Sequence, residues 1–220
     1  MKKSFTVLEL IFVIVLIGIL ASEIIPRMKS NLLEQAAYRL ISDIRYTQHL
    51  AITDDKYDPN DNKWYKKRWQ IIFGQSYDTK HKLAYSIFSD NATDDDDAKP
   101  GLTELAKDPT DPNKYLSGGY TGILKTSSSS ANKKMNLGLS YDIEKYEFGG
   151  GCSSRTRRIS FDHYGRPIKD SLATYTSAYK KGKLLSKACT IKLINESEGY
   201  IVISIEPETG YAHITDLKLF

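Results

Sequence analysis

From Leu10 to Ala21 every residue is apolar or glycine, and a single acid, Glu9, stands just ahead of that run. Extended outward to Phe5 and Ile25, the stretch as one helix would measure about 32 Å at ~1.5 Å per residue. That matches a hydrocarbon core of roughly 30 Å, so the spacing predicts a transmembrane helix over 5–27. A carboxylate at membrane depth costs about 2.5–3.5 kcal/mol, which makes Glu9 a candidate functional residue. Lys2 and Lys3 precede the run. By the positive-inside tendency they predict a cytoplasmic N-terminus, with the rest of the chain on the far side.

A cleaved secretory signal is the first alternative. It fits poorly, because no small-residue cleavage site follows Ile19-Leu20-Ala21-Ser22-Glu23 and because Glu9 interrupts the apolar core. Beyond Pro26 the chain continues as an amphipathic pattern. Leu33, Ala37, Leu40, Ile44 and Ala51 mark one helical face, with Glu34, Arg39, Asp43 and Arg45 largely on the other. The stripe stops at Ile52, which predicts an amphipathic helical half over 28–53.

The segment Ser4-Phe5-Thr6-Val7-Leu8-Glu9 resembles the processing site of type IV pilins and pseudopilins. The resemblance implies that a prepilin peptidase removes residues 1–4 as a leader, cutting between Ser4 and Phe5, with N-methylation of the new terminus. Glu9 then becomes the fifth residue, and Gly18 and Pro26 fall where the family loosens and kinks its helix. Ser4 departs from the glycine usual before the cut. Physically, the new α-amine of Phe5 in a neighbouring subunit would supply the partner that Glu9 lacks in lipid. Glu9 is therefore expected to act in filament assembly.

The remaining chain reads as a β-rich head over 54–220 with long polar loops at 54–67, 90–119 and 126–134. Strands are expected at Arg68–Phe73, Lys82–Ser89, Arg158–Asp162, Cys189–Asn195, Tyr200–Glu206 and Tyr211–Thr215, with shorter ones at Gly122–Lys125 and Leu137–Tyr141. Turns are expected at Tyr164-Gly165-Arg166-Pro167 and Pro207-Glu208-Thr209-Gly210. Gly149-Gly150-Gly151 reads as a flexible loop. Phe161-Asp162…Gly165-Arg166-Pro167 and Thr209-Gly210-Tyr211 resemble the C-terminal pattern of the H-type minor pseudopilins of type II secretion. The fold class expected is α+β and pilin-like: one long N-terminal helix, half transmembrane and half amphipathic, packed on an antiparallel β-sheet head. Cys152 and Cys189 are expected to pair, since export permits oxidation and closing that loop is worth about 3–4 kcal/mol.

No chemistry-bearing motif competes with a structural role. His49, His81, His163 and His213 are scattered, and there is no nucleophile elbow, phosphate loop or Cys/His metal spacing. No catalytic residue and no cofactor is expected. Calcium has candidate ligands in Asp55, Asp58, Asn60 and Asp61, in Asp94 to Asp97, and in Asp108 with Asp111, but none fits the loop pattern of that ion. Arg155, Arg157 and Arg158 with Lys180, Lys181, Lys183 and Lys187 would bind nucleic acid only if they share a face. The chain carries 31 basic and 27 acidic residues, and a net charge of +4 at this size does not call for a nucleic-acid partner.

The function expected is a structural minor pseudopilin or minor pilin, anchored by one pass in a bacterial inner membrane with its head in the periplasm. Its partners would be other pilin-type subunits, the prepilin peptidase and an inner-membrane assembly platform. A DNA-binding minor pilin of a natural-transformation machine is the alternative, and a membrane-tethered periplasmic enzyme the third.

Overall fold

A computed structural model describes residues 6–24, 31–91 and 99–220, with backbone alone at 21–24. The chain divides into two compact units, Met1–Asn31 and Leu32–Phe220. The first holds helix α1 (Val7–Ile24). The second begins with α2 (Leu32–Thr53), continues through β1 (Trp69–Ser76), β2 (Lys82–Ser89), the short β3 (Lys107–Asp108) and β4 (Asp111–Tyr115), and one turn of helix, α3 (Leu137–Ser140). It ends with β5 (Lys145–Gly150), β6 (Arg158–Phe161), β7 (Pro167–Lys169), β8 (Cys189–Asn195), β9 (Gly199–Ile205) and β10 (Ala212–Leu219).

These elements correct the expected fold class. The described residues give a sheet-rich fold with three α-helices, and no single long N-terminal helix lies on a sheet. Helical residues fall instead into α1 and α2, which belong to different units. Among the described residues no helix is long and apolar enough to cross a membrane. At 18 residues α1 spans about 27 Å, and its sequence carries Glu9 near the start and Glu23 near the end. The transmembrane helix expected over 5–27, and the single-pass inner-membrane placement built on it, are overturned by that finding.

Two antiparallel four-stranded sheets form the second unit, in the orders β2-β1-β6-β7 and β10-β9-β8-β5, and β3 pairs with β4 as a separate hairpin. The α2 stripe reads as expected: Leu33, Ala37, Leu40, Ile44 and Ala51 are all buried. They join Ile71, Phe73, Tyr85 and Ile87 of the first sheet and Ile191, Leu193, Ile201, Ile203 and Ile205 of the second in one core. Each fully buried aliphatic side chain there contributes roughly 1.5–3 kcal/mol. Strand β8 alternates, with Cys189, Ile191, Leu193 and Asn195 buried, because one face of its sheet meets the core. Strand β2 is buried from Leu83 to Ser89, because a second cluster of Ile72, Phe88, Leu105, Leu124 and Ala131 covers the other face of the first sheet. A strand covered on both faces reads as a continuous apolar run.

Local expectations also shift. Leu137–Ser140 is helical, with Asn136 accepting from the Leu139 amide at its start, and 122–125 forms a turn closed by a Tyr120–Leu124 bridge. Of the glycines read as a loop, Gly149 and Gly150 end β5, opposite Thr190 and Cys189, and Gly151 lies in the turn that follows. β10 runs on through Leu219, past a bulge between Ile214 and Asp216. The polar stretch 90–119 contains β3 and β4.

Candidate assembly interface

Helix α1 starts at a reciprocal cap. The Thr6 amide and hydroxyl both lie 3.4 Å from Glu9 Oε2, and the Glu9 amide lies 3.3 Å from Thr6 Oγ1. This is the arrangement of a capping box, in which a Thr at N-cap and a Glu three residues on satisfy each other's orphan donors. Its sequence signal is Thr6-Val7-Leu8-Glu9, with the Thr and the Glu three residues apart. Beyond the cap the large apolar side chains are open, from Val7 and Leu8 through Phe12 at 65% to Leu20 at 61% exposed. A methyl group placed at Gly18 would meet nothing within 4 Å. Ser4, Phe5 and Pro26 lie outside the described residues.

Chemically, this surface offers an apolar rod with one carboxylate at its positively polarised end.

The other candidate residues are distributed through the second unit. Cys152 and Cys189 form a disulfide, as expected, with Cα atoms 4.6 Å apart. It joins the segment after β5 to the start of β8. Asp55, Asp58 and Asp61 each accept the backbone amide two residues ahead, so these carboxylates shape their own loop. Asp61 also pairs with Lys67 at 2.8 Å. Asn60 enters that loop through its own amide, which donates to Asp58. Asp108 accepts from the Thr110 amide and hydroxyl and from Asn132 Nδ2 at 2.7–2.8 Å. Burial opposes these bonds, yet they hold its carboxyl below the usual range. Asp111 is bound to Lys114 at 3.2 Å. Asp94 to Asp97 lie outside the described residues. Among those described, no three His, Cys, Asp or Glu side chains come together to hold a metal.

Several of the basic residues are engaged within the chain. Arg158 is 5% exposed, bonds to Gln70 and Ser171 and lies over the Phe88 ring. Arg157 reaches the Tyr146 hydroxyl, and Lys183 is paired with Asp170. Lys180 reaches the Thr174 carbonyl, while Arg155 and Lys181 are exposed. Lys187 is also exposed. Each histidine lies beside a tyrosine: His49 with Tyr46, His81 with Tyr77, His163 with Tyr164 and His213 with Tyr211.

The two turns that carry the C-terminal resemblance do meet. Gln48 Nε2 on α2 donates to the Gly165 carbonyl at 2.8 Å and to the Thr209 carbonyl at 2.6 Å. Asp162, fully buried, accepts from the Tyr164 and Arg166 amides and binds the Arg166 guanidinium at 2.8 Å. That hydrogen bond raises the Arg166 pKa. Gln48 is the residue the sequence did not mark, since a glutamine on a helix announces nothing about a carbonyl 117 positions away. A cleft of about 460 Å³ lies between α2 and the β3–β4 hairpin, with Arg39, Asp108, Lys114 and Asn132 among its lining.

No protein-family profile, no curated protein and no solved structure matches this chain.

Proposed function

We propose that this chain is a structural subunit of a type IV pilus-like filament, of the minor pilin or type II secretion pseudopilin kind. The observation that carries the reading is α1: an apolar helix with its side chains open, and one carboxylate at its capped start. In this reading a prepilin peptidase cuts between Ser4 and Phe5, and the freed α-amine of one subunit pairs with Glu9 of the next. The partners are other pilin-type subunits and their assembly platform. The second unit then serves as the head that the helix carries into the filament.

The cap defines the experiment. Glutamine can replace glutamate in a capping box but carries no charge. Glu9→Gln should therefore preserve α1 and abolish incorporation into filaments, while Glu9→Asp retains part of it. Mass spectrometry of the native protein should show a chain starting at Phe5. Normal incorporation of Glu9→Gln would mean that Glu9 only caps its own helix, and a start at Met1 would remove the amine on which the pairing depends.

A further inference from the structure

Strand β10 ends the second sheet, and among the described residues nothing pairs with its outer side. Such an edge is a template for another strand unless it is blunted. The Phe220 amide donates to the Glu198 carbonyl at 3.0 Å, on the β9 side. Antiparallel alternation then turns Lys218 and Asp216 toward β9, and sends the backbone groups of Leu217 and Leu219 outward. Leu217 is 41%, Leu219 58% and Phe220 69% exposed, so apolar side chains line this edge. Leu217 stands opposite Ile201 and shares its face, while Asp216 and Lys218 stand opposite Val202 and Tyr200 on the other.

We propose that β10 is a self-association edge. Two copies of this chain pair their β10 strands antiparallel about a two-fold axis through Leu217, joining their four-stranded sheets into one continuous sheet. A two-fold contact uses the same patch twice, so its sequence must complement itself. Centred on Leu217, the pairing sets Asp216 of each copy against Lys218 of the other. The two Leu217 residues exchange their outward N–H and C=O groups. Sliding the strands by two residues would set Asp216 against Asp216, or Lys218 against Lys218, and like charges directly opposite are destabilising. A slide by one would put the apolar and charged faces on opposite sides. The alternation of charge therefore selects one register. Among the described residues Lys218 has no ion-pair partner within its own chain, and the second copy would supply one. This surface is distinct from α1 and independent of the filament reading.

Sedimentation equilibrium on the full chain, dispersed in a mild detergent so that α1 does not aggregate, tests it. The wild type should dimerise reversibly in the micromolar range. Asp216→Lys alone, or Lys218→Asp alone, should weaken the dimer roughly tenfold or more, because two attractive pairs become two repulsive ones. An equimolar mixture of the two variants should recover wild-type affinity as a heterodimer. The chain carrying both substitutions should recover it as a homodimer. Association through α1 would be blind to these signs. A wild type that stays monomeric, or single variants that dimerise like the wild type, would overturn the proposal.

Discussion

The Tyr85 hydroxyl donates to the Asp43 carboxylate over 2.5 Å inside the core: Tyr85 is fully buried and Asp43 is 5% exposed. Arg39 closes the cluster from the same helix, with Nε 2.9 Å from the same carboxylate oxygen. Burial raises the Asp43 pKa more than Arg39 and Tyr85 lower it, and burial with the adjacent carboxylate pushes the Tyr85 phenol well above its usual value. The contact fastens α2 to β2 through a polar bond inside an apolar core. A buried acceptor of this kind is costly when one partner is removed.

Tyr85→Phe should accordingly lower the free energy of unfolding by about 1–3 kcal/mol, since the ring still fills its place and only the donor is lost. Urea denaturation followed by tryptophan fluorescence measures it. A change near zero would mean that Arg39 alone satisfies Asp43.

Asp78 should link stability to acid. Burial raises its pKa, but the Ser76 hydroxyl and the amides of Thr126 and Ser127 outweigh that, and hold the carboxyl well below its usual value. A depressed carboxyl contributes stability that is fully present above the unfolded-state value near ~4 and fades as pH falls through the folded value. Asp43, with its raised pKa, has the opposite sign and adds nothing to acid lability. The stability gap between wild type and Asp78→Asn should be open at neutral pH and should close progressively below about pH 4. Parallel pH profiles would show that Asp78 makes no linked contribution.

At Gly210 the backbone has φ 63°, and an added Cβ would lie 2.5 Å from both the Gly165 carbonyl oxygen and Gln48 Nε2. Gly210→Ala should therefore cost more than the roughly 1–2 kcal/mol of left-handed backbone strain alone. Gly122 provides the comparison, with φ 80° and open space around it. Thermal unfolding should show Gly122→Ala paying only the strain, and Gly210→Ala falling clearly below it.

Local periodicity carried the parts of this fold that depend on near neighbours. The stripe from Leu33 to Ala51 marked the buried face of α2, and the alternating runs at Cys189–Asn195 and Tyr200–Glu206 marked β8 and β9. What periodicity could not show was where a polar side chain would find its partner. Asp43 falls on the charged side of the helical pattern, yet it is buried because Tyr85 and Arg39 answer it. Gly149-Gly150-Gly151 reads as a loop because glycines weaken strand propensity, but Thr190 and Cys189 of β8 give Gly149 and Gly150 a ladder. The apolar run from Phe5 to Ile25 suggests a crossing by its length, whereas the described helix α1 covers 18 residues. Thr6 and Glu9 are spaced as a capping box, a signal that overlaps the processing motif in the same residues.

The Leu33 amide, in the first turn of α2, is capped by Glu198 Oε2 at 3.0 Å, across 165 residues of sequence. During synthesis α2 is made early, but the turn that caps it and the β8–β9 hairpin that covers its apolar stripe come almost last. Loop closure over that distance is slow to nucleate. For most of its translation the chain presents Leu33, Leu40 and Ile44 without their cover, the condition in which nascent chains aggregate or need a holding chaperone. Truncation within the last strands should thus be felt at the beginning of the fold.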